Sequence, residues 1–137
     1  MRQVEGYPLW LGNVGDVRDI PALLMAGVGA VVDLAVNESP AILPREIVYC
    51  RFPLTDGADN PTWLLRAATE TVAALLRSNV PTLIYCGAGM SRTPAIAAAG
   101  LALATGSSPA EALAVVCNTG IADVSPALWA DVQSVLA

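Results

Sequence analysis

The chain contains no histidine and no lysine, one phenylalanine, and few charged residues, 14% of 137. Without histidine there is no Ser-His or Cys-His pair and no ordinary zinc site, and the commonest general base is missing. Catalysis, if any, must run on cysteine, carboxylates, hydroxyls or arginine. With seven basic residues, all arginine and none clustered, against twelve acidic ones, the net charge is −5. That balance excludes nucleic acid or an anionic membrane as the main partner. The longest apolar runs, residues 22–32 and 94–104, fall short of the ~20 residues that span a bilayer. The first residues lack the apolar core of a secretory leader. Cys50, Cys86 and Cys117 lie far apart, which is neither a disulfide framework nor a metal cage, and a reducing cytoplasm is the expected setting.

What is present is apolar: 55% of residues are hydrophobic, enough for the core of one domain spanning 1–137. Leu9 to Asn13 reads as a short strand. Apolar residues at 17, 20, 23 and 24 predict a helix over 16–26, ended by Gly27. Ala30 to Val36 is a β-branched run typical of a strand buried on both faces. Ile47 to Phe52 is a second such strand, expected to stop at Pro53. Asn60 offers a cap for a helix over 61–77, with Leu64, Leu65, Ala68, Val72, Leu75 and Leu76 facing inward. Thr82 to Tyr85 is a third buried strand. Pro94 opens an almost uncharged helix to Thr105, Ser108 to Glu111 is a capping box, and Ser125-Pro126 starts the last helix. The alternation predicts an α/β fold: a mostly parallel sheet of about 4–5 strands with helices on both faces. Trp10, Trp63 and Trp129 read as core or groove walls, Cys50 and Cys117 as core cysteines, and Asp33 as a hydrogen-bonded structural carboxylate.

Ligands of such sheets bind beyond the carboxyl ends of the strands. Cys86-Gly87-Ala88-Gly89-Met90-Ser91-Arg92-Thr93 occupies that place. Two glycines let the backbone curl around something small. The amides of residues 87–92 and the helix start favour an anion, and the Arg92 guanidinium can clasp two oxygens. The same surroundings favour thiolate over thiol at Cys86. The result is a nucleophile beneath a tetrahedral oxyanion such as phosphate.

This octapeptide resembles the Cys-x5-Arg-Ser/Thr signature of the cysteine-dependent protein tyrosine phosphatases, and Ala88-Gly89-x-Ser91-Arg92 is similar to their dual-specificity branch. The order of elements resembles a minimal domain of that kind over essentially the whole chain. The resemblance implies a phosphomonoester hydrolase that needs no metal or cofactor and acts on phosphotyrosine, and on phosphoserine or phosphothreonine, in proteins. Cys86 would be the nucleophile. Gly87, Ala88, Gly89, Met90, Ser91 and Arg92 would bind phosphate, and Thr93 would donate to the sulfur. Asp56, in Phe52 to Asn60, would be the general acid, with Asp59 as the alternative. A right-handed crossover between the strands ending near Phe52 and Tyr85 brings the Asp56 loop beside Cys86 independently of the resemblance. Tyr85 departs from the family, which has histidine there to steady the loop. That departure leaves open a phosphate-binding pseudophosphatase, and a small-molecule or lipid phosphate is a further alternative substrate. The oligomeric state is not legible.

Overall fold

The structure is a computed structural model that describes all residues from Met1 to Ala137. In chain order the elements are β1 (Arg2–Gln3), β2 (Leu9–Asn13), α1 (Val14–Val17), α2 (Ile20–Met25), β3 (Ala30–Ala35) and β4 (Val48–Leu54). These are followed by α3 (Thr62–Arg77), β5 (Thr82–Cys86), α4 (Arg92–Thr105), α5 (Pro109–Cys117) and α6 (Pro126–Leu136). The five strands form one sheet in the order β1-β2-β5-β3-β4, parallel except for β1. The predicted α/β architecture is the one observed.

Period-two alternation splits the strands between two cores. Leu9, Leu11, Val32, Leu34, Ile84 and Cys86 face α3–α6, while Val31, Leu83 and Tyr85 face the side of α1 and α2. Helix α4 runs through the middle of the first core, and its residues 92–102 are all buried. An alanine-rich helix can sit there because small side chains allow close approach. A Cβ on Gly100 would lie 2.3 Å from Val72 Cγ1 of α3.

Several boundaries differ from the sequence expectation. The helix expected over 16–26 is two short ones: Asp19 caps α2 through Ala22 N–H, and Pro21 in the first turn has no N–H to continue α1. Strand β4 continues through Pro53 to Leu54. It is the sheet edge and carries one extra residue opposite Asp33 to Ala35, where a missing N–H costs no ladder bond. Asn60 does not cap α3; Pro61 holds that position, and the Asn60 amide closes the 55–60 loop. Leu75 and Leu76 are only partly buried, with Thr69 and Ala73 taking interior places instead. Helix α4 starts at Arg92, two residues before Pro94. Trp63 is 68% exposed and is no core wall, whereas Trp10 and Trp129 pack against the two cores. Cys50 and Cys117 are half-buried rather than fully interior. The capping box at Ser108 and Glu111 is as expected, and Gly106 after α4 adopts the left-handed conformation.

Candidate active site

The loop from Cys86 to Ser91 joins the central strand β5 to the buried helix α4. Cys86 is 2% exposed, and its Sγ accepts a hydrogen bond from Gly89 N–H at 3.3 Å. Gly89 needs its φ of +76° and its missing side chain, because a Cβ would stand 2.6 Å from the Gly12 carbonyl oxygen.

The outer side of the loop shows why its amides turn inward. Gly87 O accepts from Val14 N–H, Gly89 O from the Arg2 guanidinium, and Met90 O from Asp123 N–H. In a trans peptide the C=O and the following N–H point oppositely. The N–H groups of Ala88, Met90 and Ser91 are thereby directed into the concavity, at the start of a fourteen-residue helix whose dipole adds positive potential.

Arg92 crosses beneath this loop and is 8% exposed. Its Nη1 donates to Leu54 O at 3.0 Å, Leu34 O at 3.3 Å and Asn37 Oδ1 at 3.5 Å. These carbonyls are the ends of β3 and β4, so the sheet edge sets the guanidinium's plane. No carboxylate pairs with it; the ion pairs are Met1–Asp16 and Arg51–Asp33. A buried cation at a helix start, facing a positive dipole end without a counter-ion, is unfavourable until an anion arrives.

Asp33 contributes from the opposite face. It is fully buried; Oδ1 accepts from Ala35 N–H at 2.8 Å, and Oδ2 accepts from the Tyr49 hydroxyl. Holding Ala35 N–H on that side leaves Leu34 C=O to face Arg92. The structural role expected of Asp33 is therefore also support for the guanidinium. Tyr49 in turn accepts from Ala41 N–H, fastening the loop between β3 and β4. Burial, followed by the bond to Asp33, raises the ionisation of Tyr49 above the usual phenol range.

Tyr85 points away from the loop, into the core beside α1 and α2. Its hydroxyl is buried without a hydrogen-bond partner, and burial first, then nearby Asp33 and Tyr49, keep it protonated far above the usual range. It does not reach the thiol.

The 55–60 loop is docked on the Cys86 loop. Asp56 Oδ1 accepts from Ser91 Oγ–H at 2.5 Å, and Ser91 Oγ accepts from Ser125 N–H at 2.9 Å. Asp56, Cys86, Ala88, Met90, Ser91, Arg92 and Asp123 line one small cavity of about 130 Å³. Asp59, with φ +73°, lines a different depression next to Asp131 of α6. Geometry thus brings Asp56 and not Asp59 to Cys86. Thr93 is fully buried, but the bond to sulfur implied by the resemblance is not formed, and its Oγ1 has no partner.

Sequence reasoning missed Arg2 and Asp123. Neither belongs to a motif, and each reaches the loop from an element remote in sequence. Only the tertiary chain path could reveal them.

Fold and loop together define the class: this is the fold of the dual-specificity branch of the cysteine-dependent phosphatases. Human DUSP28 is similar at 25% identity over 98% of this chain and 94% of that one, with a TM-score of 0.87. DUSP15 is 23% identical over 93% and 81% of the two chains, with a TM-score of 0.80. Human tyrosine phosphatase-like serine/threonine/tyrosine-interacting protein is 18% identical over 98% and 93%, with a TM-score of 0.84. No family model and no curated protein matches the sequence.

Proposed function

We propose that the chain is a phosphomonoester hydrolase acting on phosphotyrosine, and on phosphoserine or phosphothreonine, in proteins through a cysteinyl-phosphate. The observation that carries this reading is Arg92: a guanidinium 8% exposed, without a carboxylate, locked by backbone carbonyls beside a buried thiol. Dual-specificity phosphatases among the similar structures support it.

In the first step the Cys86 thiolate attacks phosphorus and the ester P–O bond breaks. The leaving oxygen takes the proton of Asp56. In the second step water attacks the cysteinyl-phosphate, Asp56 accepts its proton, and the S–P bond breaks to release phosphate and thiolate. Arg92 and the inward amides hold the non-bridging oxygens throughout. Thr93 Oγ1 is the free donor available to the sulfur as it regains charge. A reducing cytoplasm suits three free cysteines.

The test is p-nitrophenyl phosphate turnover in the presence of EDTA. Cys86→Ser and Arg92→Ala abolish it, and Asp56→Asn loses most rate on the acidic side of the optimum. Retained turnover in Cys86→Ser overturns the mechanism. Tight vanadate binding with no wild-type turnover identifies a pseudophosphatase instead. Phosphopeptide, lipid-phosphate and small-phosphate panels decide the substrate class.

A further inference from the structure

We infer that Arg2, outside the signature and 84 residues before Cys86 in the chain, is a positioning residue for the anion seat. The inference rests on reading the Cys86 to Arg92 loop as an oxyanion site. Three outward carbonyls orient the loop, and two of them are held by backbone N–H groups, of Val14 and Asp123. The third, Gly89 O, is held by a side chain: Arg2 Nη2 donates to it at 2.8 Å. This peptide follows a glycine, which lacks the Cβ that restricts backbone rotation at other residues. A rotation of the Gly89–Met90 peptide would replace an inward N–H with an inward carbonyl oxygen, exchanging attraction for an anion with repulsion.

The guanidinium is built into its place. Its Nε donates to Thr119 Oγ1 at 2.9 Å, and Thr119 Oγ1 donates onward to Val116 O at 2.8 Å, so the anchor is itself fixed to α5. Gly120 has φ +156°, and a Cβ there would come within 3.2 Å of Arg2 Cδ, so the chain lacks a side chain where the arginine lies. The α5–α6 segment that carries Thr119 also supplies Asp123 N–H to Met90 O. Strand β1 and this segment therefore grip two successive peptides of the loop from outside. Arg2 touches neither substrate nor sulfur; it acts through the Met90 amide.

Orthovanadate affinity, measured for wild type, Arg2→Met, Arg2→Lys and Thr119→Val, tests this. Losing a charge-assisted bond that holds one amide inward weakens vanadate binding about tenfold in Arg2→Met. Arg2→Lys recovers part of it, because an ammonium can donate to one carbonyl without the second anchor. Thr119→Val shows a smaller loss in the same direction. The melting temperature without anion falls by only a few degrees in the three variants, while the increase on adding vanadate shrinks in Arg2→Met. A fall in kcat/KM for p-nitrophenyl phosphate follows the same ranking. Equal vanadate affinity in wild type and Arg2→Met overturns the inference while leaving the phosphatase reading intact. Retained turnover in Cys86→Ser overturns the phosphatase mechanism without altering the vanadate ranking.

Discussion

Under the proposed mechanism, replacing Ser91 with alanine separates acid catalysis from phosphate binding. Ser91 Oγ is the side-chain link between the docked acid and the phosphate loop, donating to Asp56 at 2.5 Å and accepting from Ser125 N–H at 2.9 Å. The acid loop is closed on itself by Asn60, whose amide bonds Thr55 N–H, Thr55 O and Gly57 O, so it moves as one piece. Asp56 carries its proton when it acts as the acid, and a hydrogen bond to that neutral carboxyl contributes about 0.5–1.5 kcal/mol. Removing it lowers the docked fraction of the loop by roughly 2- to 10-fold, at 1.36 kcal/mol per decade. That loss reaches the rate only where the leaving oxygen needs a proton. Turnover of phenyl phosphate therefore falls by roughly 2- to 10-fold in Ser91→Ala, while that of p-nitrophenyl phosphate, whose phenolate leaves readily, falls by less. Steady-state kcat/KM for both esters, in wild-type and Asp56→Asn backgrounds, is the assay. With the acid already removed, Ser91→Ala adds little, giving a strongly non-additive cycle. Equal losses for the two esters, or additivity with Asp56→Asn, refute the reasoning and make Ser91 merely a brace for Ser125.

Gly100→Ala forces a methyl to within 2.3 Å of Val72 Cγ1 and 2.6 Å of its Cβ. Overpacking of this kind destabilises by about 1–3 kcal/mol, a loss of roughly 3–10 °C in melting temperature for a chain of this size. Adding Val72→Ala recovers part of the loss, and an unchanged melting curve in the single variant contradicts the α3–α4 packing. Burial pushes the Cys50 and Cys117 thiols up, so both are protonated at neutral pH and gain thiolate only as pH rises beyond the ordinary thiol range. Iodoacetamide at neutral pH accordingly labels Cys86 first, by peptide mass mapping, and equal labelling of Cys50 contradicts the assignment of the reactive thiol.

Local patterns determine much of this molecule. The strands through Val31, Tyr49 and Ile84 are legible because a β-branched or apolar run bounded by glycine or proline has few other stable uses. The Cys86 to Thr93 loop is legible because its glycines, arginine and helix start are contiguous. The right-handed crossover then places Asp56 near Cys86 without coordinates. Pro53 was misleading, since whether a missing N–H matters depends on which strand is the edge, and the chain order does not state it. Asn60 was misleading for a similar reason: an amide can cap a helix or close a loop, and the partner at Thr55 decides between them.

By itself, then, the sequence determined the α/β class and the glycine-rich Cys86 to Thr93 loop with its thiol, all encoded by neighbours along the chain. Tertiary structure alone decided that Asp59 lines a separate depression beside Asp131, that Tyr85 faces the other core, and that Arg2 and Asp123 reach the loop from outside. Those outcomes depend on pairing order, on side-chain alternation across a sheet and on contacts between residues far apart in sequence. Such contacts form only once burial of the two cores has chosen one arrangement of the elements.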